Sequence, residues 1–414
     1  MSDILTRTHY PGDALMKRRD FLKSTALAGA VGATAGTSAA LGGAASAQAA
    51  VTGIQKYGTL GKTGLKMSDI SFGGGHLPSG SMLLRAMDQG INYIDTAPDY
   101  GASESHIGEA MPRIQRDKLI IATKFCRQGA YPGHLPLGTK KAEYIAMVEE
   151  SLQRMKTDYT DLLFVHAMGE KNDLEGERKR LLDPEMLAAF AVLKQAGKAR
   201  FLAVSSHGPY NMETLMLEAV NSGHYDVIMP AFNFMKFPRI SEVMKTAHSK
   251  GIGVVAMKTL AGAKGANLKE PGPFEHAAFK WVLKHPEVAG LVVTIKSRRD
   301  LNLYVGASGQ AFSAADQRHL DQYAALYGRE YCRTGCSDCE ASCPAGVPVG
   351  HILRYRMYFE DYGQEKQGMA QYAQLETNAE ACVACDGQAC NAACPHGLPV
   401  GGMAAAAHRM LTLA

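Results

Sequence analysis

Between Tyr57 and Ala307, short apolar runs alternate eight times with amphipathic stretches, and this alternation limits the possible folds more than any other feature. The runs are Ile70–Phe72, Ile91–Asp95, Leu119–Lys124, Leu162–His166, Phe201–Ser205, Val227–Pro230, Val254–Lys258 and Leu291–Thr294. Between them, sets such as Tyr144, Met147, Val148, Ser151, Leu152 and Met155, or Met186, Leu187, Phe190 and Leu193, recur at helical spacing. Eight strand–helix units in about 250 residues are what an α/β chain closed as a (β/α)8 TIM barrel requires. A doubly wound open sheet is the rival. It usually opens with Gly-x-Gly-x-x-Gly after the first strand, and Gly73-Gly74-Gly75-His76 departs from that pattern.

A barrel of this kind carries its chemistry at the C-terminal ends of its strands. Polar residues gather there: His76, Asp95, Lys124, His166, Ser205, Ser206, His207 and Lys258. Thr59-Leu60-Gly61-Lys62-Thr63-Gly64-Leu65-Lys66 resembles the segment that covers the barrel bottom in aldo-keto reductases. Ile94-Asp95-Thr96-Ala97-Pro98-Asp99-Tyr100-Gly101, with Ser103-Glu104 and Ile107-Gly108-Glu109-Ala110, resembles that family's signature after the second strand. Thr123-Lys124 and Leu163-Phe164-Val165-His166 stand where the family places its other catalytic residues. The resemblance spans about residues 55 to 307.

It implies a catalytic set of Asp95, Tyr100, Lys124 and His166 acting on a carbonyl or alcohol. Carbonyl reduction needs a proton at oxygen as hydride reaches carbon, and a free phenol is a poor acid–base group near neutrality. Tyr100 is then the general acid/base, and the Lys124 ammonium lowers its pKa while Asp95 holds Lys124. His166 orients the carbonyl and stabilises charge on its oxygen. The family also implies NADP(H). Lys296, Ser297 and Arg298 form a basic cluster suited to phosphate at a helix start. Ser205, Ser206, His207 and Lys258 complete the candidate cofactor residues. The chain departs from the family here: no tyrosine follows the seventh strand, and Asn302 and Gly306 replace the expected downstream Arg and Glu-Asn.

Eight of the nine cysteines lie between Cys332 and Cys394. They form Cys332-x3-Cys336-x2-Cys339-x3-Cys343-Pro344 and Cys382-x2-Cys385-x4-Cys390-x3-Cys394-Pro395, and each group ends in a phrase of the form Cys-Pro-x-Gly-x-Pro-Val-Gly. This resembles the bacterial ferredoxin pattern, in which the cysteine before proline ligates the other cluster. Each group has one inserted residue. Eight thiolates suffice for two 4Fe-4S clusters, one cluster being the alternative. Disulfides and zinc knuckles are the competing readings. Cys126, set apart from these, reads as a small buried hydrophobe.

The N-terminus carries an address. Lys17-Arg18-Arg19-Asp20-Phe21-Leu22-Lys23 precedes a stretch rich in Ala and Gly that ends at Ala45-Ser46-Ala47. This resembles a twin-arginine signal, which exports folded proteins. The expected organisation is a signal over 1–47, an aldo-keto reductase barrel over 55–310 and a mainly helical, ferredoxin-like domain over 328–414. The formal charge of +4 falls to +2 outside the leader, and no basic stripe interleaved with aromatics suggests nucleic acid. The whole reads as an exported, periplasmic oxidoreductase whose clusters connect its site to a membrane-side redox partner. The other reading is a non-catalytic electron carrier or docking protein with a degenerate barrel.

Overall fold

The computed structural model describes residues 53–412, except 130–132, 236–237, 263–267, 269–270 and 334. The twin-arginine segment lies outside the described residues.

A hairpin of β1 (Tyr57–Thr59) and β2 (Lys66–Ser68) comes first. Eight parallel strands follow: β3 (Ile70–Gly73), β4 (Tyr93–Asp95), β5 (Ile120–Phe125), β6 (Thr160–Met168), β7 (Ala199–Ser206), β8 (Val227–Pro230), β9 (Gly253–Ala256) and β10 (Gly290–Val293). Each pairs with the next, and β10 returns to pair with β3, closing the barrel. The apolar runs became strands because both faces of a parallel sheet are covered. All six residues of β5 and all nine of β6 are buried.

Period-two alternation sorts the side chains. Tyr93, Ile120, Ala122, Leu162, Phe164, Ala203, Val227, Met229, Val255 and Val292 fill the barrel interior, with Leu60 and Met67 of the hairpin region closing its bottom. Alternate residues such as Ile94, Ile121, Leu163 and Val204 face the surrounding helices. By the same register Asp95 continues the inward row of Tyr93. Lys124 continues that of Ala122, and His166 that of Phe164. Three ionisable groups are therefore delivered to the inside of one rim.

The helix Ala314–Tyr327 starts at a Ser313–Asp316 capping box and packs on Phe274–Leu283. Tyr323 stacks on Phe274 at 4.4 Å, and Lys280 pairs with Asp316. Beyond it the chain is mainly helical. The two cysteine phrases fold alike. Gly346 and Gly397 take φ of 64° and 62°, and their amides donate to the carbonyls of Cys343 and Cys394, both at 3.1 Å. Helices then begin at Val349 (to Glu360) and Val400 (to Leu411). The Gly350 amide donates to Glu340 Oε1, and the Gly401 amide donates to Asn391 Oδ1. The sequence repeat is thus a structural repeat. From Ala50 onward the chain is one compact unit.

Candidate active site

Asp95 and Lys124 are almost wholly buried and form an ion pair at 2.5 Å, with Lys124 Nζ also donating to the Thr96 carbonyl at 2.8 Å. The ammonium stands 5.0 Å from the centre of the Tyr100 ring. His166, 2% exposed, meets that ring edge-on at 5.9 Å. The four residues expected to act together are brought together.

The expected tuning of Tyr100 is not found. Its phenol is pushed well above 10, by burial first and then by Asp95, Asp99, Cys126 and Tyr358. Lys124 lies over the ring rather than at the hydroxyl, and its charge is already shared between Asp95 and Thr96. The arrangement favours a protonated phenol, the form that can give a proton.

Asp99 is not legible as a site residue from sequence, although it stands beside Tyr100 in the same motif. Its side chain is fully buried, and burial raises its carboxyl to about 7 despite Lys124. Among the described residues Oδ2 accepts no hydrogen bond, and it lies 3.7 Å from His166 Nδ1. Cys126 Sγ donates to Oδ1 at 3.5 Å. Cys126 is fully buried, but it borders the site rather than the helix layer alone. A second histidine, His134, has its ring 6.3 Å from His166, and burial depresses it to about 3.

The residues expected to hold a dinucleotide are engaged elsewhere. Ser205 Oγ accepts from the Ala167 amide at 3.1 Å, and Ser206 Oγ donates to the Met168 carbonyl at 2.8 Å. Both brace the bulge of β6, where Ala167 has φ of 49°. Ser297 caps the helix Arg298–Val305 by accepting from the Asp300 amide, while Asp300 in turn accepts from the Lys296 amide. Two amides at this helix start are thus taken by its own side chains, and Arg298 is exposed on its first turn. Lys258 Nζ is 3.4 Å from Tyr358 Oη and lies over the Tyr358 and Tyr362 rings at 5.0 and 5.7 Å. Lys296 Nζ donates to the Tyr362 carbonyl at 2.5 Å. In this arrangement Ser205, Ser206 and both lysines already hold partners within the chain.

His207 belongs to a buried charge cluster. Arg354, 6% exposed, pairs with Glu170 at 3.0 Å, approaches His207 Nδ1 at 3.2 Å and donates to the His207 carbonyl. His351 and His207 face the same carboxylate at 3.4 and 3.3 Å. Burial alone would raise Glu170, but Arg354, His351 and His207 hold it well below the usual carboxylate range.

The eight cysteines of the C-terminal region are buried or half-buried. Burial raises Cys339, and Cys332, Glu340, Cys394 and Cys336 raise it further. Cys382 reaches about 11 through burial and then through Cys343, Cys390 and Cys385. Each cysteine that precedes a proline therefore sits with the other group's first three.

The barrel has known relatives. The aldo/keto reductase family model matches residues 78–274. L-galactose dehydrogenase of Arabidopsis thaliana is 31% identical over 233 residues, covering 52% of this chain and 68% of that protein. L-glyceraldehyde 3-phosphate reductase of Escherichia coli K12 is 28% identical over 227 residues, covering 50% of this chain and 62% of its own length. A Pseudomonas aeruginosa aldo-keto reductase structure is 28% identical with a TM-score of 0.50, covering 64% of this chain and 95% of that one. An aldo-keto reductase from Bacillus halodurans shares the fold, with a TM-score of 0.51, 23% identity, and coverage of 64% and 95%. The chain is a (β/α)8 barrel protein with a helical C-terminal region, and it belongs to the aldo/keto reductase family of oxidoreductases.

Proposed function

We propose that this chain is an exported oxidoreductase that interconverts a small carbonyl and alcohol at Tyr100, with electrons exchanged through iron–sulfur clusters in its C-terminal region. The observation that carries this reading is the grouping of thiols. Cys332, Cys336, Cys339 and Cys394 make one quartet, and Cys343, Cys382, Cys385 and Cys390 make the other. Exchange of the fourth ligand between two repeats is the ferredoxin arrangement. Two such clusters would supply electrons one at a time, so each carbonyl reduced would take two electrons, one from each cluster, together with two protons.

At the rim the chain's own residues handle the proton. A phenol held protonated at Tyr100 donates one of the two protons, to the carbonyl oxygen, while the second proton goes to the carbonyl carbon with the two electrons; in the reverse direction Tyr100 receives the alcohol proton. His166, beside it, stabilises charge developing on that oxygen. Asp95 fixes Lys124 beneath the ring, which keeps the ammonium within reach of a phenolate once the proton has gone. The fully buried Asp99 carboxyl, near neutrality in its titration, offers a place from which Tyr100 is reprotonated through His166.

The paired arginines, the Ala/Gly stretch and the Ala45-Ser46-Ala47 end support export of the folded protein. Export in the folded state allows cluster insertion before translocation. A membrane-side redox partner then completes the circuit.

The test uses anaerobically purified full-length protein reduced with methyl viologen and offered a panel of small aldehydes and ketones. The expected result is carbonyl-dependent reoxidation in wild type, and its loss in Tyr100→Phe with iron content unchanged. Equal reoxidation in that variant would remove Tyr100 from the reaction.

A further inference from the structure

We propose that Val349–Tyr362 is a built-in lid occupying the dinucleotide face of the barrel, so that the enzyme turns over without exchanging NADP(H). Occupation of that face rests on side-chain contacts alone. Entry of electrons through the cysteine region, which then follows, rests on the proposed function.

Three of the candidate cofactor residues are cations, Lys258, Lys296 and Arg298; Arg298 is exposed, whereas the two lysines are engaged. Both are claimed by one continuous stretch of the chain's own tail. Lys258 lies against the Tyr358 hydroxyl and over two tyrosine rings, and Lys296 donates to the Tyr362 carbonyl. Tyr358 and Tyr362 stack at 5.7 Å with planes 25° apart, presenting a flat aromatic surface to Lys258. Tyr358 is 4% exposed, so it is inserted rather than laid on the surface. It also lies near enough to Tyr100 to act on that phenol.

The lid is anchored one helical turn earlier. Arg354 reaches across 184 residues of sequence to Glu170, and His351 meets the same carboxylate from the preceding turn. Withdrawing the helix would strand a buried carboxylate and undo its contacts with Arg354 and His351 together. Backbone packing offers little slack. A Cβ on Gly350 would fall 3.0 Å from Pro209, and one on Gly335 would fall 3.1 Å from the Gly208 carbonyl. Tyr210 adds a hydrogen bond to Glu340 at 2.7 Å from the barrel side. A dinucleotide would need both lysines and the space beside them, and would have to break this seat to obtain them.

The experiment is a titration of cluster-loaded, full-length protein with NADPH, followed by nicotinamide fluorescence, with analysis of nucleotide released on denaturation. Wild type is expected to release none and to show no saturation at about 1 mM, the top of the usual KM range. The Arg354→Met variant, which frees the helix, is expected to bind NADPH at least ~10-fold more tightly, because affinity scales with the fraction of open molecules. Micromolar saturation in wild type overturns the lid. So does unchanged affinity in Arg354→Met when hydrogen exchange shows the helix released. Both results are independent of whether iron is present, whereas iron-free protein overturns the electron route and leaves the lid standing.

Discussion

Replacing Asp99 with asparagine isolates one buried titration beside Tyr100. In the folded protein burial raises this carboxyl from 3.8 to about 7. The folded state therefore holds a proton that the unfolded chain releases between those values. Stability from this proton is fully present below pH ~4 and is lost as pH rises through 7. A tenfold change in proton affinity is worth about 1.4 kcal/mol, so the group withdraws about 4 kcal/mol between pH 4 and pH 8. Asparagine has the same shape and no titration. Urea unfolding of both proteins at intervals across that range gives the comparison. The wild-type midpoint should fall relative to Asp99→Asn, by about 1.4 kcal/mol per pH unit near pH 5–6. Parallel curves for the two proteins would refute the assignment of a buried, neutral carboxyl to this position.

Lys124→Met leaves Asp95 buried without its cation and should cost about 3–5 kcal/mol by denaturant unfolding, whereas Asp95→Asn with Lys124→Met together should cost less than either alone implies. Arg354→Met should cost a similar amount, read as lost hydrogen-exchange protection over Val349–Glu360 rather than across the barrel. Glu170 titrates with the opposite sign to Asp99. Its carboxyl is held below the usual range, so the contact it makes is intact above pH ~4.5 and weakens as pH falls through its lowered pKa, measured by the same exchange experiment. Tyr100→Phe should keep the wild-type midpoint within about 0.5–1.5 kcal/mol, the size of one hydrogen bond, while turnover disappears.

The barrel was legible because its strands are covered on both faces. Continuous apolar runs such as Leu162–His166 cannot be solvated strands, and each of the eight runs overlaps an observed strand, with ends that shift by a few residues. Ile91–Asp95 shortened to Tyr93–Asp95, whereas Leu162–His166 lengthened to Thr160–Met168. The inward placement of Asp95, Lys124 and His166 also followed from period two. The repeated Cys-Pro phrase announced a repeated fold, down to the matching turns at Gly346 and Gly397.

What stayed hidden depends on partners far apart in sequence. Glu170 and Arg354 stand 184 residues apart, and only tertiary packing makes them a buried pair. Tyr358 and Tyr362 sit in an ordinary amphipathic helix and its end, and nothing local says that they face Lys258. Ser205, Ser206 and Ser297 look available as ligands because a sequence does not reveal that the backbone of β6 and a helix start consume them. The motif alone suggests Lys124 at the Tyr100 hydroxyl, but residue order does not tell the face of a ring from its edge.

The proposed function requires that the eight tail thiolates hold iron next to a rim that moves protons. Iron and acid-labile sulfide in anaerobically prepared full-length protein test it most directly. About eight of each per chain are expected, as two four-iron clusters require. Stoichiometric zinc, or thiols found joined in disulfides with iron absent, would contradict it.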